Sequence, residues 1–219
     1  MPLPIRVVVL ISGSGSNLQA LIDGQKSGDL PISIEKVISN RPDVFGLTRA
    51  EQAGISHQVL DHKTFADRES FDQHLMQEID QCNPDLVVLA GFMRILTPEF
   101  TQHYLGRMLN IHPSLLPKFQ GLHTHQRALD AGESRHAVTV HFVTAELDGG
   151  PAAIQASVPV LSTDDASSLA KRVQRQEHII YPLAVKWFAE GKLQMKDNRA
   201  WLENELLPEH GHLIESHEH

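Results

Sequence analysis

The chain has 219 residues, of which 41% are hydrophobic and 21% are charged, and its formal net charge is −8. This composition is typical of a globular protein with room for a full hydrophobic core. The acidic balance and the aromatic content of 5% argue against a nucleic-acid partner, because such proteins usually present basic surfaces with aromatic side chains.

Membrane and secreted proteins are also disfavoured. No apolar run reaches the roughly 20 residues that a membrane span needs, and the start of the chain lacks the layout of a signal peptide. Cys82 is the only cysteine, which excludes an internal disulfide framework. We therefore expect a cytoplasmic protein whose partners are small molecules, either monomeric or dimeric.

In the first half of the chain, apolar runs of strand length alternate with amphipathic stretches of helix length. The run Val7–Ile11 is apolar at every position, which indicates a strand buried on both faces. Further strands are predicted over residues 34–38, 57–60, 86–90 and 107–111, and helices over residues 17–24, 45–53 and 65–81 and from Pro98 onward. Alternation at this spacing favours right-handed crossovers between parallel strands. We therefore predict a single-domain α/β fold with a mostly parallel, twisted sheet flanked by helices.

The second half of the chain has a different pattern. Its elements are predicted as strands over residues 138–143, 152–160 and 193–196 and a long helix over residues 165–190, with a kink at Pro182. The turn-rich sequence Leu147-Asp148-Gly149-Gly150-Pro151 separates the first two of these strands. Residues 118–126 are expected to form a mobile loop.

We expect one domain over residues 1–206 and a polar, mobile tail over residues 207–219. Four histidines lie in this tail: His210, His212, His217 and His219. Because no closed ligand geometry is evident among them, no metal site is expected.

Two glycines lie in the loop between the first strand and the first helix, Ser12-Gly13-Ser14-Gly15-Ser16-Asn17-Leu18. Glycines let a backbone approach a ligand closely, and a helix start offers free N–H groups to an anion. The loop lacks the Gly-Lys pair of a nucleoside-triphosphate loop, and Leu18 takes the place of the third glycine of a dinucleotide-binding loop. Two interpretations fit: a cradle for a single phosphate, and a plain turn with a serine or asparagine as the helix cap.

Asn110 and His112 alternate in a predicted strand, so their side chains share one face. An amide can bind a developing oxyanion, and an imidazole can move a proton near neutral pH. The pair therefore suits acyl chemistry, although a strand that runs into a proline-rich loop could carry both residues by chance.

Asp148 lies in a turn that is followed by two glycines. A carboxylate near an imidazole favours the charged form of the ring, so Asp148 close to His112 would keep more imidazolium at neutral pH. Aspartates in turns also commonly cap their own backbone, and the sequence leaves both roles open.

Ligands of open parallel sheets bind beyond the carboxyl ends of the strands. Residues 13–17, residues 91–96 and the Asn110/His112 pair all follow such ends, so we expect them to converge on one crevice. The apolar side chains of residues 91–96 either line a slot for a flat ring or pack beneath the loop.

Four stretches together form a highly specific combination: Val8-Val9-Leu10-Ile11-Ser12-Gly13-Ser14-Gly15-Ser16-Asn17-Leu18, Leu89-Ala90-Gly91-Phe92-Met93-Arg94-Ile95-Leu96, Asn110-Ile111-His112-Pro113-Ser114-Leu115-Leu116-Pro117 and Glu146-Leu147-Asp148-Gly149-Gly150-Pro151. Over about residues 6–206, the chain resembles the folate-dependent phosphoribosylglycinamide formyltransferases of purine synthesis. Two departures from the family pattern are mild: Ser14 replaces a common asparagine, and Ala152-Ala153 is smaller than the usual aliphatic pair, which could loosen packing beneath the Asp148 loop.

The resemblance implies a Rossmann-like formyltransferase fold and formyl transfer from 10-formyltetrahydrofolate to the amine of 5-phosphoribosylglycinamide, without a metal. It implies that Asn110, His112 and Asp148 are catalytic. The residues that it assigns to ribonucleotide binding are Gly15, Ser16, Asn17 and Glu177. Those that it assigns to folate binding are Arg68, Met93, Arg94, Ile95, Leu96, Asn110, Thr144, Ala145, Glu146, Leu147 and Asp148.

Other enzymes of the formyl group share the same trio. Methionyl-tRNA formyltransferase carries a C-terminal nucleic-acid-binding domain, and formyltetrahydrofolate deformylase carries an N-terminal regulatory domain. We expect neither domain here, because the chain is short and acidic and its first strand begins by residue 6. A binding module without catalysis is disfavoured by the complete trio. A nicotinamide oxidoreductase is disfavoured by Leu18 and by Ser39-Asn40, which stand where that class has a glycine and an acidic residue.

Overall fold

The computed structural model describes residues 3–217. The chain forms two compact units, Met1–Asn110 and Ile111–His219. The strands that begin in the first unit are β1 (Ile5–Ile11), β2 (Ile32–Ser39), β3 (His57–Val59), β4 (Leu86–Leu89) and β5 (Met108–His112), and its helices are α1 (Ser16–Ser27), α2 (Phe45–Gln52), α3 (Arg68–Asp80) and α4 (Pro98–His103). The second unit contains the end of β5, then α5 (Thr124–Asp130), β6 (Arg135–Phe142), β7 (Ala152–Pro159), α6 (Ala166–Ala189), β8 (Leu193–Lys196), β9 (Arg199–Leu202), β10 (Glu205–Leu206) and β11 (His212–Glu215).

The strands of the first unit pair in parallel, in the order β5-β4-β1-β2-β3. The side chains of Val7–Ile11 are fully buried, as their continuous apolar sequence predicts for a strand that is covered on both faces. Because β1 and β4 are parallel neighbours, the loops that follow them emerge at the same edge of the sheet.

Helix α3 begins three residues later than its apolar pattern predicts. Asp67 accepts a hydrogen bond from the Ser70 N–H at 2.7 Å, and Ser70 Oγ accepts one from the Asp67 N–H at 3.4 Å. This reciprocal capping box fixes the helix start at Arg68. The predicted start at Phe65 is wrong because capping, rather than apolar periodicity, sets the first turn.

In the second unit, β6 pairs with β7 in antiparallel fashion, and β11 pairs with β7 in parallel. Strands β8, β9 and β10 form a small antiparallel sheet. Helix α6 starts after a second capping box, between Asp165 and Ser168, and continues through Pro182 to Ala189.

The structure differs from the sequence prediction in the second unit, where β9 and β10 were not predicted and two further expectations are corrected. Residues 124–130 form α5, so the expected loop over 118–126 ends in a helix. The expected tail contains β11, and Arg135 Nη2 donates to the carbonyls of Ser157 and Ser216, which ties this strand to β7. Residues 212–215 therefore have regular structure, contrary to the expectation, while residues 218–219, with His219, lie outside the described residues. The domain boundary at residue 206 stays a prediction.

The predicted fold class, α/β with a mostly parallel sheet flanked by helices, is confirmed. Within residues 3–217, no helix combines the length and the apolar character that crossing a membrane requires.

Candidate active site

The glycine-rich loop of the first unit lies between β1 and α1. Gly15 has a φ of +71°, a left-handed conformation that glycine adopts without steric cost. A Cβ atom at Gly15 would lie 2.7 Å from the Cα atom of Gly46, so the start of α2 also excludes a side chain there. Helix α1 begins at Ser16, and the first N–H groups of a helix have no helical acceptor. The local geometry of Gly15, Ser16 and Asn17 therefore suits an anion.

Helix α2 holds this loop through its carbonyl groups. The Gly46 N–H donates to the carbonyl of Gly13 at 3.1 Å, and Arg49 Nε donates to the carbonyl of Ser14 at 2.7 Å. Both hydrogen bonds are accepted by backbone carbonyl oxygens of the loop, whose partial negative charge would otherwise repel a bound anion. Sequence reasoning missed Arg49, because no motif marks this arginine, although it brings a positive charge to a loop that lacks a Gly-Lys pair.

The segment 91–96 follows β4, the parallel neighbour of β1. The Met93 N–H donates to Ser12 Oγ at 2.8 Å, so the loops after β1 and β4 meet at this edge of the sheet. Their convergence was expected from the sequence. Met93 and Ile95 are 64% and 52% exposed. Large apolar side chains that face solvent at a strand end favour a binding surface over packing beneath the loop.

Of the two arginines that the resemblance assigns to folate binding, Arg94 is part of this segment and Arg68 belongs to α3. Arg94 is half-buried, and its guanidinium group lies 5.1 Å from the centre of the Phe71 ring, in the range of a cation–π contact. Arg68 is exposed at the first position of α3. Leu96 is half-buried between the exposed Ile95 and the buried Thr97.

In the second unit, the structure brings two of the predicted catalytic residues together. His112 Nδ1 lies 3.6 Å from Asp148 Oδ1, and the two side chains are 9% and 8% exposed. An electrostatic interaction between side chains this shielded from water is screened much less than one at the surface. The sequence could place both residues at strand or turn ends, but it could not show that they meet.

The other ring nitrogen of His112 also has an acceptor. His112 Nε2 lies 2.9 Å from the carbonyl oxygen of Phe119. A carbonyl can only accept, so Nε2 carries the proton of this hydrogen bond. The second nitrogen, Nδ1, faces the Asp148 carboxylate, so both ring nitrogens have an oxygen partner.

A second histidine, His141, lies beside Asp148 and was missed by sequence reasoning. Its Nε2 is 4.0 Å from Asp148 Oδ1, and its Nδ1 lies 3.0 Å from the carbonyl oxygen of Phe142. Burial lowers the pKa of His141, which favours the neutral form of this ring. Its place on β6, one residue before the end of the strand, is the signal that could have pointed to it.

Backbone geometry fixes the Asp148 turn. Asp148 has a φ of +52°, a conformation that aspartate tolerates better than most residues. Its Oδ2 accepts from the Gly121 N–H at 2.9 Å. A Cβ atom at Gly150 would overlap the carbonyl oxygen of Phe142, so the chain can make this turn only with glycine there. Asp148 therefore directs its carboxylate to His112, His141 and Gly121, rather than only capping its own turn.

For the remaining predicted residues, the structure gives the element and the degree of burial. Asn110 is half-buried in β5, two residues before His112, and Glu177 is half-buried on α6. Of the residues before Asp148 that the resemblance assigns to folate, Thr144 is half-buried, and those exposed are Ala145, Glu146 and Leu147. Their roles stay predictions.

Space lies beneath the Asp148 turn, where the chain departs from the family pattern. A cavity of about 580 Å³ is lined by Asp148, Gly149 and Ala152, among other residues of the second unit. A larger aliphatic side chain at position 152 would fill part of it. Among residues 3–217, no group of three or more histidine, cysteine or acidic side chains has an arrangement that could hold a metal ion.

Comparison with known proteins identifies the family. Residues 5–185 match the model of the formyl transferase family. The chain is 55% identical to the phosphoribosylglycinamide formyltransferase of Escherichia coli (strain K12), over 95% of this chain and 98% of the relative. The chain belongs to the phosphoribosylglycinamide formyltransferase family. The family member from Haemophilus influenzae is 49% identical over 96% of this chain and 99% of its own length.

A solved structure of the family agrees over nearly the whole chain. The phosphoribosylglycinamide formyltransferase of Coxiella burnetii matches with a TM-score of 0.93 and 49% identity, over 96% of this chain and 99% of that one. The family resemblance seen in the sequence is thus confirmed, and the chain is an enzyme of formyl transfer in purine biosynthesis. Which of its residues carry out the reaction is a separate question.

Proposed function

We propose that the protein transfers the formyl group of 10-formyltetrahydrofolate to the amine of 5-phosphoribosylglycinamide. The observation that carries this proposal is the His112–Asp148 pair, a shielded imidazole and carboxylate 3.6 Å apart. It occurs in a chain that is 55% identical to a phosphoribosylglycinamide formyltransferase over nearly its full length. Both substrates are small molecules, and no step of this chemistry needs a metal.

In the proposed reaction, the amine attacks the formyl carbon, and negative charge develops on the formyl oxygen. The Asn110 amide and the cationic ring of His112 donate hydrogen bonds to that oxygen. In the structure, His112 Nε2 donates to the Phe119 carbonyl, so the formyl oxygen would replace that carbonyl as the acceptor of this N–H.

The attacking nitrogen must then lose a proton, and the folate nitrogen must gain one as its bond to the formyl carbon breaks. We assign this transfer to a water molecule that Asp148 positions. The arrangement of Asp148 Oδ1 and His141 Nε2 supports the assignment, because these two acceptors lie 4.0 Å apart and suit a donor that bridges them, as water does.

The binding residues of the proposal are those that the family resemblance assigns. Gly15, Ser16 and Asn17 would hold the substrate phosphate, and Glu177 would contact the ribonucleotide. The folate would contact Arg68, residues 93–96, Asn110 and residues 144–148. The exposed apolar side chains of residues 93–95 support the folate assignment.

An absorbance assay for deformylated folate tests the proposal. The purified protein is mixed with 10-formyltetrahydrofolate, with and without 5-phosphoribosylglycinamide. Product that forms only with the amine supports formyl transfer. Equal product without the amine would identify a hydrolase, and folate binding without product would identify a binding module; either result overturns the proposal.

A further inference from the structure

The segment 93–97 of the first unit has no regular secondary structure, yet it presents two large apolar side chains to solvent. Such a segment keeps one conformation only if other groups hold its backbone. Both of its ends are held by buried polar side chains. One end is the Met93 N–H, and the other is the Thr97 N–H.

Ser12 holds the first end. Its hydroxyl oxygen accepts from the Met93 N–H at 2.8 Å and donates to Asn40 Oδ1. The Asn40 amide in turn contacts His62 Nδ1 at 3.1 Å. Ser12 is 2% exposed, so this short chain of hydrogen bonds ties the segment to the ends of β1 and β2 in a place shielded from water.

Asp72 holds the second end. Its Oδ2 accepts from the Thr97 N–H at 2.7 Å, and the residue is 1% exposed. Thr97 Oγ1 accepts from the Phe100 N–H and so caps α4. The carboxylate therefore fixes the point at which the segment passes into a helix.

A buried carboxylate is costly unless partners compensate for its lost hydration. Burial raises the pKa of Asp72, while the hydrogen bond from Thr97 and the positive charges of Arg94 and Arg68 oppose that rise. These two arginines are the cations assigned to folate binding under the proposed function. Asp72 thus interacts both with the backbone of segment 93–97, through the Thr97 N–H, and with the positive charges of Arg94 and Arg68.

We propose that Ser12 and Asp72 are positioning residues for the formyl donor: they hold the two ends of segment 93–97 so that its apolar side chains and Arg94 are presented to the folate. This inference rests on the proposed function. It assigns neither residue a contact with the reacting atoms. It predicts that the loss of either anchor weakens folate binding and leaves the binding of phosphate nearly unchanged.

The test uses calorimetric titration of the full-length protein with 10-formyltetrahydrofolate and, separately, with inorganic phosphate. Asp72→Ala removes the acceptor and the charge, and we expect the folate Kd to rise about tenfold or more. Asp72→Asn keeps an acceptor oxygen and should recover part of the affinity. Ser12→Ala removes the acceptor of the Met93 N–H, at the other end of the segment, and should raise the folate Kd by a similar factor. The phosphate Kd should stay within about twofold in all three variants.

Asp80→Asn is the matched control. Asp80 lies on the same helix and accepts from the Tyr104 hydroxyl at 2.8 Å, but it does not contact segment 93–97. Hydrogen exchange gives a second readout: amides of residues 93–97 should exchange faster in Asp72→Ala, and those of α3 should not.

The outcomes separate this inference from the proposed function. A wild-type protein that neither binds the folate nor transfers the formyl group would refute the proposed function. A wild-type protein that does both, together with an Asp72→Ala variant that keeps the wild-type folate Kd and exchange rates, would refute the positioning role. Equal weakening by Asp80→Asn would also refute it.

Discussion

The two units differ in the forces that hold their candidate site residues. In the first unit, backbone conformation and side-chain bonds to backbone amides fix the loops, as at Gly15, Ser12 and Asp72. In the second unit, titratable side chains lie against one another, with Asp148 beside both His112 and His141. Every buried histidine within residues 3–217 belongs to the second unit.

This difference predicts different responses to pH and to mutation. Burial lowers the pKa of His125 and of His141, and it lowers the pKa of His136 to about 4. No comparable set of buried rings lies in residues 3–110. We therefore expect mutations in the first unit to change substrate affinity, and those in the second unit to change turnover and the pH dependence of stability.

The largest effect is expected for His112→Asn, which leaves the loops of the first unit intact. Under the proposed mechanism it removes the imidazole donor to the developing oxyanion, and such groups commonly contribute factors of 10²–10⁴. We expect kcat to fall by about a thousandfold, with the folate Kd within about threefold of wild type. Steady-state kinetics and calorimetry measure the two quantities. A fall of less than tenfold in kcat would remove His112 from the mechanism.

Asn110→Ala tests whether a residue at the end of the first unit also contributes to the formyl-transfer step. Loss of one preorganised oxyanion donor costs about 3–4 kcal/mol, so turnover should fall by roughly two to three decades with little change in KM. A variant that turns over within a factor of three of wild type would dismiss the role. In that case the residues of the first unit would serve substrate binding alone, and the residues of the second unit would carry out the chemistry.

The fold was predictable where local pattern determines it. Continuous apolar runs identified β1 and β4, because a strand covered on both faces needs no polar positions. The helix α5 and the strand β11 were missed for a physical reason. β11 depends on β7 and on the Arg135 side chain, which are distant in the sequence, and α5 follows a residue in the left-handed conformation, His123, rather than a recognisable cap.

The site was predictable to the level of chemistry-bearing motifs but not to the level of contacts. Asn110, His112 and Asp148 stand in recognisable stretches, so a resemblance could single them out. His141, Arg49 and Asp72 could not be found in this way, because each acts through a partner that tertiary packing supplies. The sequence around such a residue carries at most a weak signal, such as the place of His141 near the end of β6.

Gly15→Ala tests the first unit by backbone geometry alone. The substitution places a Cβ atom 2.7 Å from Gly46 Cα at a φ of +71°, so the loop must shift. We expect the KM for 5-phosphoribosylglycinamide to rise about tenfold, with a smaller change in kcat. Gly13→Ala is the matched control, because a Cβ atom there meets no atom within 4 Å. Equal effects of the two variants would show that the close approach of Gly15 to α2 is unimportant.

The smallest effect concerns His136, a fully buried ring on β6 that packs against His125 with ring centres 5.1 Å apart. Its pKa is lowered to about 4, mainly by burial, whereas an unfolded histidine titrates near 6.5. Below pH 6.5 the unfolded state therefore binds a proton that the native state does not, so stability is full above that pH and falls as pH decreases toward 4. At pH 5 this linkage costs about 2 kcal/mol.

His136→Leu removes this linkage while keeping an apolar side chain in the core. The fall in Tm between pH 7.5 and pH 5, measured by thermal unfolding, should therefore be smaller than in wild type by about 5 °C. His57→Leu, which changes an exposed histidine of β3, should leave the wild-type difference unchanged. If His136→Leu loses as much Tm as wild type over this range, the acid sensitivity of the protein does not come from this ring. The contrast between the units would then rest on other titratable groups of the second unit that are in contact, such as His112, His141 and Asp148.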